Sequence, residues 1–139
     1  MARKPIPPPN VPISNPATGL IGTYWFDFFF ATLRQAPLVA PQYGATITVD
    51  AASGDSFVIT ATNGTAFTIA APANPTNGQV ATFTIRNASG GALGAITWNA
   101  VFKMPAFTSP ANGNSRSVTF HFDGTNWVQR YQSAADVPN

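Results

Sequence analysis

Short segments in which apolar and polar residues alternate fill the chain from Gln42 to Gln132. Alternation with a period of two places successive side chains on opposite faces of a strand, so each segment predicts a half-buried β-strand. Dipeptides typical of turns, such as Ser53-Gly54 and Asp123-Gly124, separate the segments. The pattern predicts about eight short strands, at residues 44–50, 55–61, 65–71, 79–87, 93–98, 100–104, 116–122 and 126–132.

Strands of this length and spacing predict that residues 42–139 form a mainly β domain, an antiparallel β-sandwich of the jelly-roll type. One hairpin can be assigned a register, with Ile59 opposite Phe67 across a three-residue loop that ends at Gly64. This register keeps the apolar residues of both strands on one face, and it requires Gly64 to adopt the left-handed conformation of a β-bulge. On a later strand, the alternation predicts that Ala81, Phe83 and Ile85 share one face, opposite to that of Val80, Thr82, Thr84 and Arg86.

Prolines dominate the start of the chain, with six of the 13 prolines lying in residues 5–16. Each proline fixes φ and removes a backbone donor, so residues 1–23 are predicted to form an extended arm. The next stretch begins with six aromatic residues among seven and stops at Pro37. Residues 24–36 are predicted to form a short helix, and 37–41 to link it to the β domain.

The predicted helix is apolar almost all round and must therefore be buried on most sides. It could pack on its own β domain, or it could contact other copies or a partner. We favour the second alternative, because a domain of about 90 residues rarely covers every side of such a helix. The predicted oligomer contacts are Tyr24, Trp25, Phe26, Phe28, Phe29, Phe30 and Leu33.

Charged residues make up only 9% of the chain, with no Glu and no Cys. The net charge of +2 comes from Arg3 and Lys4, since the remainder has five basic and five acidic residues. No basic face indicates nucleic-acid binding, and no apolar run is long enough for membrane insertion. One His and five Asp leave few groups for acid–base chemistry or metal binding. The chain is therefore predicted to be no enzyme and to hold no metal or cofactor.

Two groups of side chains are candidates for chemistry or binding. Ser117, Thr119, His121 and Asp123 alternate along one strand, where parallel side chains cannot converge as a catalytic triad must. They are therefore interpreted as the polar face of that strand. Aromatic rings stack on sugars when exposed and pack in cores when buried, so both readings apply to Trp98, Trp127 and Tyr131, the candidates for glycan contact.

Two strings near the C-terminus resemble small β-sandwich modules of bacteriophage tail fibres and tail spikes. They are ATFTIRNASGGALGAITWNAVFK, residues 81–103, and PANGNSRSVTFHFDGTNWVQRY, residues 110–131. The Pro-rich leader followed by YWFDFF is similar to the virion-attachment ends of such fibres. The resemblance covers about half of the chain and involves no catalytic signature.

This resemblance implies a structural protein of a phage virion, a short homotrimeric tail fibre or fibre/adaptor protein made in the bacterial cytoplasm. Its N-terminal arm would dock on another virion protein. Two alternatives remain open: a fibre or decoration protein on the capsid head, and a module that binds a host receptor or glycan. The residues implied to anchor the arm are Pro5, Ile6, Pro7, Pro8, Pro9, Val11 and Ile13.

Overall fold

The computed structural model describes residues 12–14, 17–19, 22, 25 and 38–139. The chain divides into two compact units, Met1–Gln35 and Ala36–Asn139. In the first unit, the Gly22 amide donates to the Ile13 carbonyl at 2.9 Å, and the Ile13 side chain is exposed. Trp25 is half-buried with helical backbone. The rest of the predicted anchor and the rest of the predicted helix 24–36 lie outside the described residues.

All eight predicted strands overlap a strand of the structure, which confirms a mainly β fold. Two further short strands lie at the two ends of the second unit, at 38–39 and 137–138. The first of them lies in the predicted linker, residues 37–41. The ten strands described in 38–139 are β1 Leu38–Val39, β2 Thr46–Ile47, β3 Ser56–Ala61, β4 Phe67–Ile69, β5 Val80–Asn87, β6 Ile96–Trp98, β7 Phe102–Lys103, β8 Asn114–Phe122, β9 Trp127–Gln132 and β10 Val137–Pro138. A 3-10 turn, Ala51–Ser53, follows β2.

The first six strands form a solenoid-like stack of coils, with every pairing parallel. β1, β3 and β5 pair side by side in one sheet, whereas β2, β4 and β6 pair in a second, three-stranded sheet. Each coil contributes one strand to each sheet, and equivalent residues stack, as in the series Ile47, Ile69 and Trp98. The prediction of an antiparallel jelly roll is wrong for this half, because alternation reveals a strand but not the strand it pairs with.

The predicted hairpin is also wrong, since β3 and β4 lie in different sheets and the chain turns a corner at Asn63-Gly64. The next coil passes the same corner closely, where the Gly94 amide donates to the Gly64 carbonyl at 2.9 Å. A Cβ on Gly94 would lie 2.5 Å from the Ala66 amide nitrogen. The glycines are therefore required by the close approach of two backbones, and not by a left-handed turn.

The second half extends the first sheet with antiparallel strands, as the sequence predicts. β8 pairs with β5, β9 pairs with β8, and β10 adds to the end of β8. β7 closes the far edge in parallel with β9. We call this seven-stranded sheet the long sheet, with the strand order β1-β3-β5-β8-β9-β7, and the sheet of β2, β4 and β6 the short sheet.

The hydrophobic core fills the space between the two sheets. Phe83 lies at its centre, fully buried, and its ring contacts those of Phe57, Trp98, Phe102 and Phe120 at centroid distances of 5.0–5.9 Å. Ala81 and Ile85 are buried too, which confirms that these residues share one face, and the structure shows that this face points to the core. Among the described residues, no helix is long and apolar enough to cross a membrane.

Candidate functional site

The three aromatic residues predicted as glycan contacts do not form one platform. Trp127 is only 1% exposed and packs against Phe122, with ring centroids 5.1 Å apart, so its ring is not accessible to a sugar. Trp98 is half-buried against Phe102 and Phe120. Tyr131 alone is open to solvent, with 62% of its surface exposed. The alternation of Trp127 with Tyr131 suggested a shared face, but the β-bulge on β9 places them on opposite faces.

The polar series on β8 ties two strands together. The Ser117 hydroxyl lies 2.9 Å from that of Thr84, and the Thr119 hydroxyl lies 2.9 Å from that of Thr82. Val118, between them, faces the core. These cross-strand hydrogen bonds engage the hydroxyls, and within residues 38–139 no His or Asp bonds to the Ser117 hydroxyl as the base of a nucleophile would. The arrangement agrees with the interpretation of a polar strand face.

Asp123 holds the turn between β8 and β9. Its Oδ1 accepts hydrogen bonds from the Asn126 amide at 2.7 Å and the Thr125 amide at 2.9 Å. These backbone donors, that of Asn126 foremost, lower the pKa of Asp123 because they stabilise the charged carboxylate. The carboxylate of Asp123 is therefore engaged in the turn.

The other carboxylates in residues 38–139 also have structural partners. Asp50 accepts from the Ala52 amide at 3.0 Å and caps the 3-10 turn. Asp55 accepts from the Gln79 side-chain amide at 2.6 Å. Asp136 forms an ion pair with Arg116. In this part of the chain, no three side chains of the metal-ligating types come together.

A shallow groove opens at the corner between the sheets, beside Tyr43. The Tyr43 hydroxyl donates to the side-chain oxygen of Asn63 at 3.1 Å, and its ring packs edge-on against Phe67. Burial raises the pKa of Tyr43. Because these polar groups already bond to one another, the groove offers a ligand little polar contact. It is lined by Tyr43, Gly44, Ala45, Thr62, Asn63, Thr65 and Ala66.

The side of the long sheet that points away from the core is called the outer face, and it is partly covered, since Val58, paired with Thr84 on this side, is only 8% exposed. Residues opposite one another in neighbouring strands share a face, so the face can be read from the register. One row crosses five strands, in the order Leu38, Ser56, Thr82, Thr119 and Tyr131. Towards the start of β5 lies a second row, of Val80, His121 and Val128.

Apolar side chains are concentrated on the outer face. Six large apolar side chains are exposed among the described residues, and the five that belong to the second unit all lie on this face. Their exposed fractions range from 36% to 64%, and they are Leu38, Val80, Val128, Tyr131 and Val137. Polar residues such as Ser56, Thr82 and Thr119 separate them, but no other surface of the second unit has large exposed apolar side chains, so this face is the candidate interaction site.

The charges around the outer face are distributed unevenly along the strands. Arg86 lies near the C-terminal end of β5, opposite Ser115, and is exposed. At the other end of the same ladder, Val80 lies opposite His121, and Asp123 follows just beyond. Arg86 and Asp123 thus lie towards opposite ends of the β5–β8 ladder, and a further exposed cation, Arg130, adjoins Tyr131 on β9.

No protein-family model, curated protein or solved structure matches this chain.

Proposed function

We propose that this chain is a non-enzymatic structural protein of a bacteriophage particle. In this proposal it is a short homotrimeric tail fibre or fibre/adaptor protein, located in the virion. Its Pro-rich arm, residues 1–23, anchors it to another virion protein, and the segment 24–36 gathers the copies. The second unit, with its two stacked sheets, projects from the particle.

The outer face is the observation that carries this proposal. Only eight residues in 38–139 are charged, and the exposed apolar side chains of this part gather on one sheet face. Burial of apolar surface contributes about 25 cal/mol per Å², so a face of this kind favours association with other protein surfaces. The described carboxylates and the hydroxyls of β8 serve the fold, which also favours a structural role over catalysis.

Deletion of residues 1–23 tests the anchor. We expect the truncated chain to keep the folded second unit, because the unit Ala36–Asn139 is compact by itself, and to be missing from assembled particles. Particles assembled from the full chain, and from a full chain carrying Asn112→Ala in an exposed loop, serve as controls. Circular dichroism and a thermal melt establish that the truncated chain is folded. Particles that carry it at the level of the controls would refute the anchor.

A reconstruction of the whole particle decides where the protein is located. Density for the second unit on the tail supports the tail fibre or adaptor, whereas density on the capsid supports a head fibre or decoration protein. Light scattering on the purified full chain tests the homotrimer directly. A mass of one chain at every concentration would contradict the trimer.

Binding of a host glycan is a second candidate, and the exposed ring of Tyr131 on the outer face favours it. On this hypothesis, Tyr131→Ala abolishes glycan-array binding, while Thr97→Ala, which changes an exposed residue of the short sheet, retains it. An array without signal for the unmodified chain would exclude this role for the glycans tested.

A further inference from the structure

We infer that Asn63 is a site of spontaneous deamidation, at which the backbone nitrogen of Gly64 attacks the side-chain amide of Asn63 and converts it to a carboxyl group. Asn63 lies at the exposed corner where the chain passes from β3 to β4, beside the groove at Tyr43. This chemistry is independent of the proposed function and adds a modification site to the fold.

Three asparagines of the second unit are followed by glycine, which makes all three candidates for this reaction. Glycine has no side chain that would shield its backbone nitrogen. All three asparagines are exposed, so contact with water does not distinguish them. They are Asn63, Asn77 and Asn112, each directly before its glycine.

The backbone amides of the three glycines differ in their hydrogen bonds. The Gly78 amide donates to the Phe122 carbonyl at 2.9 Å, and the Gly113 amide donates to the Asn87 carbonyl at 3.0 Å. Within residues 38–139, the Gly64 amide donates to no acceptor. A nitrogen that donates must break its hydrogen bond before it can attack, whereas a free nitrogen need not. The structure therefore favours the Gly64 nitrogen as the attacking group.

Two donors converge on the oxygen that becomes negatively charged during the attack. Oδ1 of Asn63 accepts from the Tyr43 hydroxyl at 3.1 Å and from the Thr65 amide at 3.0 Å. The other acceptors near this hydroxyl, the backbone carbonyls of Asn63 and Thr65, are farther away at 3.3 Å. Donors so placed polarise the side-chain carbonyl and stabilise the oxyanion of the tetrahedral intermediate. Burial raises the pKa of Tyr43, so its hydroxyl keeps the proton at neutral pH.

The reaction needs water as its only co-reactant. The Gly64 nitrogen gives its proton to water and bonds to Cγ of Asn63, which closes a five-membered succinimide ring. The bond between Cγ and Nδ2 breaks, and Nδ2 takes up a proton and leaves as ammonia. The hydrogen bonds of the Asn63 side chain within residues 38–139 are made by Oδ1, so none holds Nδ2 back. Water then opens the ring to give aspartate or isoaspartate.

Peptide mapping of the purified full chain, incubated at mildly alkaline pH, tests the inference. Either product adds one negative charge, so ion-exchange chromatography separates the modified chains, and mass spectrometry locates the change. Trypsin places Asn63 and Asn77 in one peptide, residues 35–86, and Asn112 in another, residues 104–116. Fragmentation of the first peptide distinguishes its two sites. We expect Asn63 to react about fivefold faster than the other two or more, because their glycine amides must first break a hydrogen bond.

The unfolded chain gives the matched reference for the same three sites. In guanidinium chloride the hydrogen bonds of the three glycine amides are lost. The three rates should then converge, because each asparagine precedes the same type of residue. A preference for Asn63 that is present only in the folded chain therefore comes from the structure.

Tyr43→Phe tests the hydroxyl that bonds to Oδ1 of Asn63. The ring is retained, and so is its edge-on packing against Phe67. The rate at Asn63 should fall about fivefold, because a hydrogen bond to an oxyanion is stronger than one to a neutral carbonyl. Tyr131→Phe removes the hydroxyl of an exposed tyrosine on β9 and should leave the rate unchanged. A thermal melt establishes that both variants are folded.

Three results would overturn the inference. The first is modification of Asn77 or Asn112 as fast as that of Asn63 in the folded chain. The second is an unmodified Asn63 in the folded chain under conditions that modify it in guanidinium chloride. The third is a rate at Asn63 in Tyr43→Phe that equals or exceeds that of the unmodified chain. The first two comparisons use the unmodified chain, so they do not depend on the folding of a variant, and the proposed virion role is tested separately by the particle assay.

Discussion

Asn87 is predicted to hold three segments of the second unit together, and its replacement should be among the costliest in the protein. It is the buried polar side chain of the core, with no exposed surface. Its Nδ2 donates to the carbonyls of Gly91 at 2.9 Å and Pro110 at 3.0 Å. Its Oδ1 accepts from the amide of Ser89 at 3.0 Å and from the hydroxyl of Ser89 at 2.7 Å.

The loss of unfolding free energy in Asn87→Ala depends on which hydrogen-bond partners of Asn87 can bond to water instead. Ser89 and Gly91 lie near the surface and can exchange Asn87 for water, whereas Pro110 is fully buried. A lost hydrogen bond costs about 1 kcal/mol, and a buried group left unsatisfied costs about 1–3 kcal/mol. Asn87→Ala should therefore lower the free energy of unfolding by about 3 kcal/mol. Asn87→Asp should cost more at neutral pH, because a buried carboxylate would face the two carbonyl oxygens that Nδ2 now contacts.

Urea unfolding followed by tryptophan fluorescence measures this effect. With a slope of about 1.5 kcal/mol per M, Asn87→Ala should lower the midpoint by about 2 M. Asn112→Ala is the matched control, because its exposed side chain accepts one bond, from the Gly90 amide at 2.9 Å, and its loss should cost at most about 1 kcal/mol. Equal midpoints for the Asn87→Ala and Asn112→Ala variants would refute the reasoning, as would an Asp variant more stable than the Ala variant.

Three further predictions concern the corner, the C-terminal segment and the core. Gly94→Ala should lower the melting temperature by several degrees, because its Cβ would lie under 3 Å from neighbouring backbone atoms, whereas Gly91→Ala, with no atom within 4 Å of its Cβ, should change it little. Arg116 lowers the pKa of Asp136, so the stabilisation by this pair is present above pH about 4 and is lost as the pH falls through the lowered value. The difference in unfolding free energy between the unmodified chain and Asp136→Asn should therefore shrink in acid, and a constant difference would contradict the pairing. Gln129→Leu should cost less than about 1 kcal/mol in urea unfolding, because the buried Oε1 of Gln129 has no partner.

The positions of the strands could be read from the sequence because alternation is a local property. Side chains of successive residues point to opposite faces whatever the strand pairs with. The series from Ala81 to Ile85 shows this, since its alternate residues share a face as predicted, and all three are buried. The turn at Asp123-Gly124 was likewise predictable, because the carboxylate bonds to nearby amides of its own segment.

Strand pairing could not be read in the same way. The segment from Thr62 to Gly64 is compatible both with a hairpin loop and with a corner between sheets. Which of them forms depends on whether β3 packs beside β4 or beside β5, and that choice is a comparison of long-range contacts. The structure pairs β3 with β5 in parallel, so Gly64 adjoins Gly94 of the next coil.

The exposure of the aromatic candidates also depends on strand pairing, which the sequence does not show. Among the three aromatic candidates, Trp127 and Tyr131 are four residues apart and share a face in a regular strand. The bulge on β9 shifts the register and turns Tyr131 outward while Trp127 enters the core. The outer face itself was not identified from the sequence, because Leu38, Val80 and Tyr131 come from distant segments that meet only through strand pairing.

By itself, the sequence determined the mainly β character, the location of the strands and which residues of β5 share a face, since these depend on neighbours along the chain. The tertiary structure decided the parallel stack of coils, the corner glycines and the gathering of exposed apolar side chains on one face. These features arise when residues far apart in sequence compete for the same partners. Alternative strand pairings differ in free energy through side-chain packing and through close contacts between backbone segments. A local sequence pattern contains no information on either.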